Sequence, residues 1–269
     1  MEKFVMQFKA ACLLASVLLI LPALSFAGGS SCSAATAVIP DGRSLELDYA
    51  QPSSTAWYQF NATANRSYSV EVRDDLDPDN GDFTVSFYPA PVNCSSPASN
   101  TNYTDTHLIE PAAGAHATRF SFVPTTTGAY YVSVLNGSTS IGHYVTVTVT
   151  ETTLYITNWS TYSSLTTFFG FQNTTSQCIS YTLTLVPVVG STQNATASGT
   201  VGTTCATSPT PLATANTGPS GLNLTNQAGI AYFTHNGPPG AIQGYAISAN
   251  FGTTPFTILN LPVGPMRGK

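Results

Sequence analysis

Residues 68–72 (YSVEV) and 145–150 (VTVTVT) carry the pattern that decides the fold of this chain. In both stretches apolar residues alternate with polar ones, and the same period of two recurs at residues 179–185 (ISYTLTL). Successive side chains of a β-strand point to opposite faces of the sheet, so the alternation predicts strands with one buried and one solvated face. Such strands are typical of antiparallel sheets.

Turn-forming clusters separate these stretches, and no helical period is found after residue 27. The clusters are residues 77–81 (DPDNG), 136–138 (NGS) and 236–240 (NGPPG). Short strands at this spacing, rich in Thr, Val, Tyr and Phe, are typical of sandwiches. We therefore expect an all-β protein of two antiparallel β-sandwich domains, jelly-roll or immunoglobulin-like, that follow a cleaved signal peptide.

Charged residues are scarce and unevenly distributed. They make up 8% of the 269 residues, against roughly 25% in an ordinary soluble domain. The net charge is -5, so no basic field attracts nucleic acid. Eleven of the 13 acids lie from Asp41 to Glu110, and no Asp, Glu, Lys or Arg occurs between Glu151 and Arg267. This asymmetry predicts one domain over residues 30–151 and a second over residues 152–266.

The first 27 residues have the layout of a signal peptide. Lys3 and Lys9 precede an apolar run at residues 10–21, and Ser25 and Ala27 supply the small residues before the predicted cleavage point. The alternative is an uncleaved membrane anchor, but the run is short for the roughly 20 residues of a spanning helix. No later segment is apolar for 18 residues, so we predict no membrane span in the mature chain and a secreted, extracellular or periplasmic location.

Four cysteines remain after the signal peptide, which contains Cys12. An even number fits disulfides in an oxidising compartment, and three pairings are formally open. The predicted domain boundary favours two pairs, Cys32 with Cys94 and Cys178 with Cys205. A zinc site is the alternative, but no two cysteines have the close spacing of structural zinc ligands.

The first half of the chain resembles a known bacterial family. Residues 57–68 (WYQFNATANRSY) and 82–88 (DFTVSFY) resemble the start of pre-peptidase C-terminal (PPC) domains, and residues 127–134 (TGAYYVSV) resemble their closing strand. The resemblance implies a jelly-roll-like sandwich over about residues 30–151 that is usually non-catalytic and appended to exported enzymes. No protease domain accompanies it here.

The second half is similar to an uncharacterised exported β-sandwich module that follows such domains. The similar stretches are residues 168–175 (FFGFQNTT), 181–185 (YTLTL) and 235–242 (HNGPPGAI). This resemblance implies no assigned activity.

An acidic run between two predicted strands is a candidate calcium site, since Ca²⁺ takes hard oxygen ligands. Its carboxylates are Asp74, Asp75, Asp77, Asp79 and Asp82. Gly81 and Ser86 do not fit an EF-hand loop, so the prediction is a strand-connecting Ca²⁺ site. The alternative is a solvated acidic turn that keeps the sheet edge from associating.

No catalytic motif stands out, and we predict that the protein is not an enzyme. The chain contains no G-x-S-x-G or H-E-x-x-H sequence, and the second domain has no carboxylate to serve as an acid or base. Asp105, His107 and Glu110 lie close enough in sequence to line a site, but we expect them to belong to a polar loop. His235 follows a predicted strand, and we expect it to bond backbone groups of the turn.

Exposed aromatic residues suggest carbohydrate binding as the rival function. The predicted ligand-binding residues are Trp57, Trp159 and Tyr162, with Tyr58, Tyr103 and Tyr245 as further candidates. Packing into the core is the alternative for each ring, but the polar stretch after Trp159 (residues 160–164, STYSS) favours exposure there.

The sequence thus predicts an exported, non-catalytic interaction or cell-surface module, with Ca²⁺ as its one candidate cofactor. Its expected partner is a protein or polysaccharide surface. Carbohydrate binding through exposed aromatics is the first alternative, and an accessory subunit of a hydrolase is the second.

Overall fold

The computed structural model describes residues 28–44, 48–74, 83–90, 94, 104–105, 116–140, 142–202, 205, 212–213, 222–253, 257–261 and 263–265. Within them, the regular elements are β-strands and one 3-10 turn at Cys32–Ala34. The predicted signal peptide lies outside these residues. Across the same ranges, no helix combines the length and the hydropathy that a membrane crossing needs.

In the described part of residues 28–151, ten strands form two facing sheets, which we call the first sandwich. They are β1 (Thr36–Ala37), β2 (Asp41–Ser44), β3 (Asp48–Ala50), β4 (Thr55–Ala62), β5 (Tyr68–Asp74), β6 (Phe83–Tyr88), β7 (Thr104–Asp105), β8 (His116–Phe122), β9 (Gly128–Asn136) and β10 (His143–Glu151). One sheet has the order β1-β4-β9-β6, and the other has the order β2-β10-β5-β8-β7 with β3 also paired to β10. Among these described strands, β1 and β4 are parallel and the other pairs are antiparallel.

The later strands form a second pair of sheets, which we call the second sandwich. They are β11 (Leu154–Ser160), β12 (Leu165–Asn173), β13 (Ile179–Val189), β14 (Ala195–Val201), β15 (Leu212–Ala213), β16 (Ala228–His235), β17 (Ile242–Asn250), β18 (Thr257–Leu261) and β19 (Val263–Pro265). The sheet orders are β14-β13-β16-β11-β19 and β15-β12-β17-β18. The predicted all-β fold with antiparallel sheets is confirmed.

Alternating residues of these strands fill two separate cores. In the first sandwich Tyr68, Val70 and Val72 of β5 are buried, whereas Glu71 on the opposite face is half-buried. Aromatic rings from five strands meet there, for example Phe60 with Tyr130 at 6.1 Å between ring centroids. In the second sandwich Phe233 is stacked between Phe171 (3.8 Å) and Tyr181 (4.9 Å). The period of two read from the sequence therefore places the core residues correctly on these strands.

The cysteines pair as the domain boundary favoured. Cys32 is bonded to Cys94 with a Cα–Cα distance of 6.3 Å, and Cys178 is bonded to Cys205 with a distance of 5.5 Å. The bonds close sequence separations of 62 and 27 residues. A cross-link of this length stabilises the fold by roughly 3 to 4 kcal/mol through the entropy of the unfolded chain.

Candidate functional site

Four of the five predicted calcium ligands lie outside the described residues. Asp75, Asp77, Asp79 and Asp82 lie outside the described residues, and Asp74 is the last residue of β5, opposite His116 and Val145 in the neighbouring strands. Among the described residues, no cluster of three or more His, Cys, Asp or Glu side chains is arranged to hold a metal ion. The Ca²⁺ site stays a prediction.

Most of the acid-base candidates of the first sandwich also lie outside the described residues. His107 and Glu110 lie outside the described residues, and Asp105 is described only as a backbone position in β7, opposite Arg119 of β8. The predicted absence of catalysis is therefore untested at this group.

The expectation that Trp159 is exposed is wrong. Its side chain is 0% exposed in the second core, and its indole N–H donates a hydrogen bond to the Ile230 carbonyl over 2.8 Å. The physical reason is a β-bulge: the register between β11 and β16 shifts between Ile156 and Trp159. A bulge inserts an extra residue and reverses which face the following side chains occupy. Thr157 and Asn158 are consequently both exposed, and Trp159 returns to the core.

The other two predicted ligand-binding aromatics are only half-buried, and they lie in different sandwiches. Trp57 belongs to β4 and packs against Tyr88 with 5.0 Å between ring centroids. Tyr162 lies between β11 and β12, where Ser163 and Ser164 adopt positive φ angles of 52° and 66°. The three predicted residues therefore form no common platform.

A polar cluster around Arg66 joins the two sandwiches. Arg66 lies with its guanidinium carbon 4.5 Å from the ring centroid of Tyr155 and 5.1 Å from that of Tyr232, both in the second sandwich. It also faces the Glu151 carboxylate at 3.7 Å, to which the Tyr155 hydroxyl donates a hydrogen bond. Burial raises the pKa of Glu151 above its ordinary value, although Arg66 and Thr153 act in the opposite direction. A cation held between two aromatic rings stabilises their contact.

Buried backbone hydrogen bonds fix the segment that links the sandwiches. The Thr152 N–H donates to the Ser67 carbonyl over 2.8 Å, and the Ser67 N–H donates to the Thr153 hydroxyl over 2.9 Å. Ser67 and Thr153 are fully buried. From the first sandwich, the Ser121 hydroxyl donates to the Gly237 carbonyl of the second over 3.3 Å. The two sandwiches thus share a packed junction, with the linking residues forming part of it.

His235 completes this junction. It is 3% exposed, its Nδ1 accepts a hydrogen bond from the Gly237 N–H over 3.1 Å, and a second hydrogen bond connects the ring to the backbone of Thr152. Burial lowers the pKa of His235 to about 4, because the charged form loses its hydration. The ring is neutral at pH 7 and bonds backbone groups of the turn, as predicted.

The outer face of the first sandwich carries an ion-pair network of one carboxylate and two guanidinium groups. Glu71 of β5 accepts hydrogen bonds from Arg73 in the same strand and from Arg119 in β8, where the Nε–Oε2 distance is 2.8 Å. Burial favours the protonated form of Glu71, but the two guanidinium groups outweigh it and hold the pKa of this carboxyl below its ordinary value. The network links β5 to β8, because both arginines are paired with the Glu71 carboxylate.

The outer face of the second sandwich has no such network. Tyr245 of β17 is 52% exposed and lies opposite Gly170 of β12. Exposed Gln172 and Gln243 are paired next to it, on the same two strands. Tyr245 was among the sequence candidates, but the glutamines and Gly170 were not. Only the register between two strands about 75 residues apart brings them together.

The fold and this geometry define a class of protein: two disulfide-bonded antiparallel sandwiches with buried polar residues at the junction between them. Comparison with protein-family models and with curated proteins found no match for this chain. The resemblance of residues 30–151 to PPC domains accordingly stays a prediction.

Proposed function

We propose that this chain is an exported, non-catalytic β-sandwich protein that acts as an interaction or cell-surface module. Its outward surfaces contact a partner, and its two sandwiches act together as one spacer. The observation that carries the proposal is that the buried polar side chains at the junction bond to groups of the two sandwiches and of the segment between them.

Arg66, Glu151 and His235 are polar groups of the junction that are largely withdrawn from water. Arg66 is held between two rings and a carboxylate, and both bonding positions of the His235 ring are directed at backbone groups. A general base needs a free lone pair within reach of a substrate proton, and His235 offers none. These groups support a stiff connection between sandwiches, which suits a protein that presents a surface.

The composition of the second sandwich supports contact with a surface. Residues 152–266 contain no Asp, Glu, Lys or Arg, so this half stays hydrated through Thr, Ser, Asn and Gln. Tyr245, Phe251 and Ile258 are nevertheless more than half exposed. Uncharged surfaces with exposed large side chains are typical of binding faces rather than of inert ones.

Export and lack of catalysis are tested on the mature protein. Expression of the full chain should release a product whose N-terminus is Gly28. This product should show no turnover on a broad panel of ester, peptide and glycoside substrates. Turnover that disappears in Asp105→Asn or His107→Ala, and that persists in the matched variant Asp41→Asn, would overturn the proposal.

Calcium stabilisation forms part of the same proposal. A ligand that binds only the folded state raises the melting temperature, by an amount that grows with ligand concentration. We expect a chelator to lower the melting temperature of the mature protein and Ca²⁺ to restore it, with Asp77→Asn and Asp79→Asn removing the response. A melting temperature that the chelator leaves unmoved would make the acidic stretch a solvated turn.

A further inference from the structure

The Tyr245 ring lies flat on the outer face of the second sandwich. Tyr245 is directly opposite Gly170 in the β12–β17 pairing, and a Cβ atom added to Gly170 would overlap the Cζ, Cε1 and Oη atoms of Tyr245. The far half of the ring therefore occupies the space where a side chain of residue 170 would stand. With one ring face against strand β12 and the side chain 52% exposed, the opposite ring face is open to solvent.

Two exposed amides flank this ring. Gln172 and Gln243 are directly opposite each other, two residues from Gly170 and Tyr245, and therefore on the same face of the sheet. Each amide offers two N–H donors and one carbonyl acceptor. The ring and the amides together form a surface that is flat and apolar at one point and rich in uncharged hydrogen-bonding groups beside it.

On the other side of Gly170 the same face continues as an apolar strip. Phe168 is opposite Ile247, and its ring makes an edge contact with Phe251 at 6.2 Å between centroids. Phe251 is itself exposed. The strip extends the surface along the sheet, so its shape suits an elongated ligand.

Charge decides the class of ligand. The absence of Lys and Arg from residues 152–266 removes the groups that would neutralise an anionic chain, and the absence of Asp and Glu removes those that would attract a cationic one. A stable protein interface buries about 800 Å² on each partner around several desolvated anchors, whereas the large side chains that are more than half exposed along this face are Tyr245, Phe251 and Ile258. A chain of neutral sugar rings needs an aromatic face for its C–H groups and amides for its hydroxyls.

We propose that this face binds a neutral polysaccharide, with one pyranose ring stacked on Tyr245 and its hydroxyls hydrogen-bonded by Gln172 and Gln243. This inference rests on the proposed function, for which it names the partner. The binding relies on contact and hydrogen bonds rather than on ion pairs, so it is insensitive to salt.

The test is affinity electrophoresis and pull-down of the intact mature protein on cellulose, xylan and starch, with alginate as the anionic control. We expect retention on at least one neutral polysaccharide, none on alginate, and no change between about 0.05 and about 0.5 M NaCl. Tyr245→Ala should weaken binding about tenfold, which is the loss of one stacked ring. Tyr245→Phe should bind nearly as well, because stacking needs the ring rather than the hydroxyl.

Matched variants separate binding from folding. Tyr144→Ala removes an exposed tyrosine (38%) from a strand of the first sandwich and should bind like the wild type. Gln172→Ala combined with Gln243→Ala keeps the ring in place, should weaken binding, and should leave the melting temperature unchanged. Gly170→Ala displaces the ring without removing it and should also weaken binding.

Three outcomes overturn the inference. They are retention on none of the neutral polysaccharides, binding that the Tyr245→Ala and double glutamine variants leave intact, and a preference for alginate. Retention of the intact protein on a protein-coated surface alone would sink this inference but leave the proposed function standing. Depolymerisation of a bound polysaccharide by the wild type would instead overturn the proposed non-catalytic function.

Discussion

The outer faces of the two sandwiches are both formed by antiparallel strands, but they carry different side chains. On the first, Glu71 accepts hydrogen bonds from Arg73 and Arg119, so the charged side chains of this face are paired with one another. On the second, Tyr245 lies flat over Gly170 beside paired glutamines, and no ionisable acid or base is present. The charged side chains of the first face pair with one another, whereas the second face leaves the Tyr245 ring exposed to solvent. The difference indicates that the first face stabilises the fold and the second is available for contact.

The largest expected difference in stability is between variants of the two tryptophans, one in each sandwich. Trp159→Ala empties a fully buried site and leaves the Ile230 carbonyl without its donor, so it should lower the free energy of unfolding by about 3 to 5 kcal/mol. Trp57→Ala removes a half-buried ring from the first sandwich and should cost clearly less. Denaturant unfolding of the mature protein measures both. Equal and small losses would contradict the assignment of Trp159 to the core.

The second prediction concerns pH and the buried imidazole. The pKa of His235 falls from its ordinary 6.5 to about 4 on folding. Between these two pH values the imidazole is protonated in the unfolded chain and neutral in the folded chain. Stability is therefore complete above pH 6.5 and declines as pH falls toward about 4, by up to about 3 kcal/mol. Unfolding curves across this range measure it, and His235→Gln should flatten the decline.

Glu71 provides the matched comparison within the first sandwich. Its pKa is held below the ordinary 4.5, so its contribution to stability is present above that pH and is lost as pH falls through the lowered value. Glu71→Gln should accordingly leave the decline between pH 6.5 and about 5 unchanged. If Glu71→Gln rather than His235→Gln flattened that range, the assignment of the decline to His235 would be wrong.

A smaller effect is expected at the contact between the sandwiches. Arg66→Ala removes the cation between Tyr155 and Tyr232 and leaves the half-buried Glu151 without its counter-charge, at a cost of about 1 to 2 kcal/mol. The matched control is Arg43→Ala, whose side chain is 89% exposed and pairs only with Asp41, and this change should stay within about 0.5 kcal/mol. Calorimetry should also show the two sandwiches unfolding less cooperatively in Arg66→Ala. Equal stability of the two variants would contradict the account of the junction.

The strands and cores were accessible from the sequence because their side chains repeat with a period of two. Residues 68–72 and 145–150 lie in neighbouring strands, with Val72 opposite Val147 in the core. Trp159 escaped prediction because a bulge interrupts that period, and nothing in the local residues marks the extra position. The contact of Gly170 with Tyr245 depends on long-range register, as does that of Arg66 with Tyr232. Such contacts are set by the assembled sheets rather than by neighbouring residues.

We infer that the second sandwich, rather than the first, carries the binding face. Oxidative footprinting of the intact mature protein, with and without the neutral polysaccharide that retains it, tests this most directly. Tyr245 and Phe251 should become protected, whereas Tyr144 of the first sandwich should be oxidised at an unchanged rate. Protection of Tyr144 with Tyr245 left fully reactive would contradict the claim.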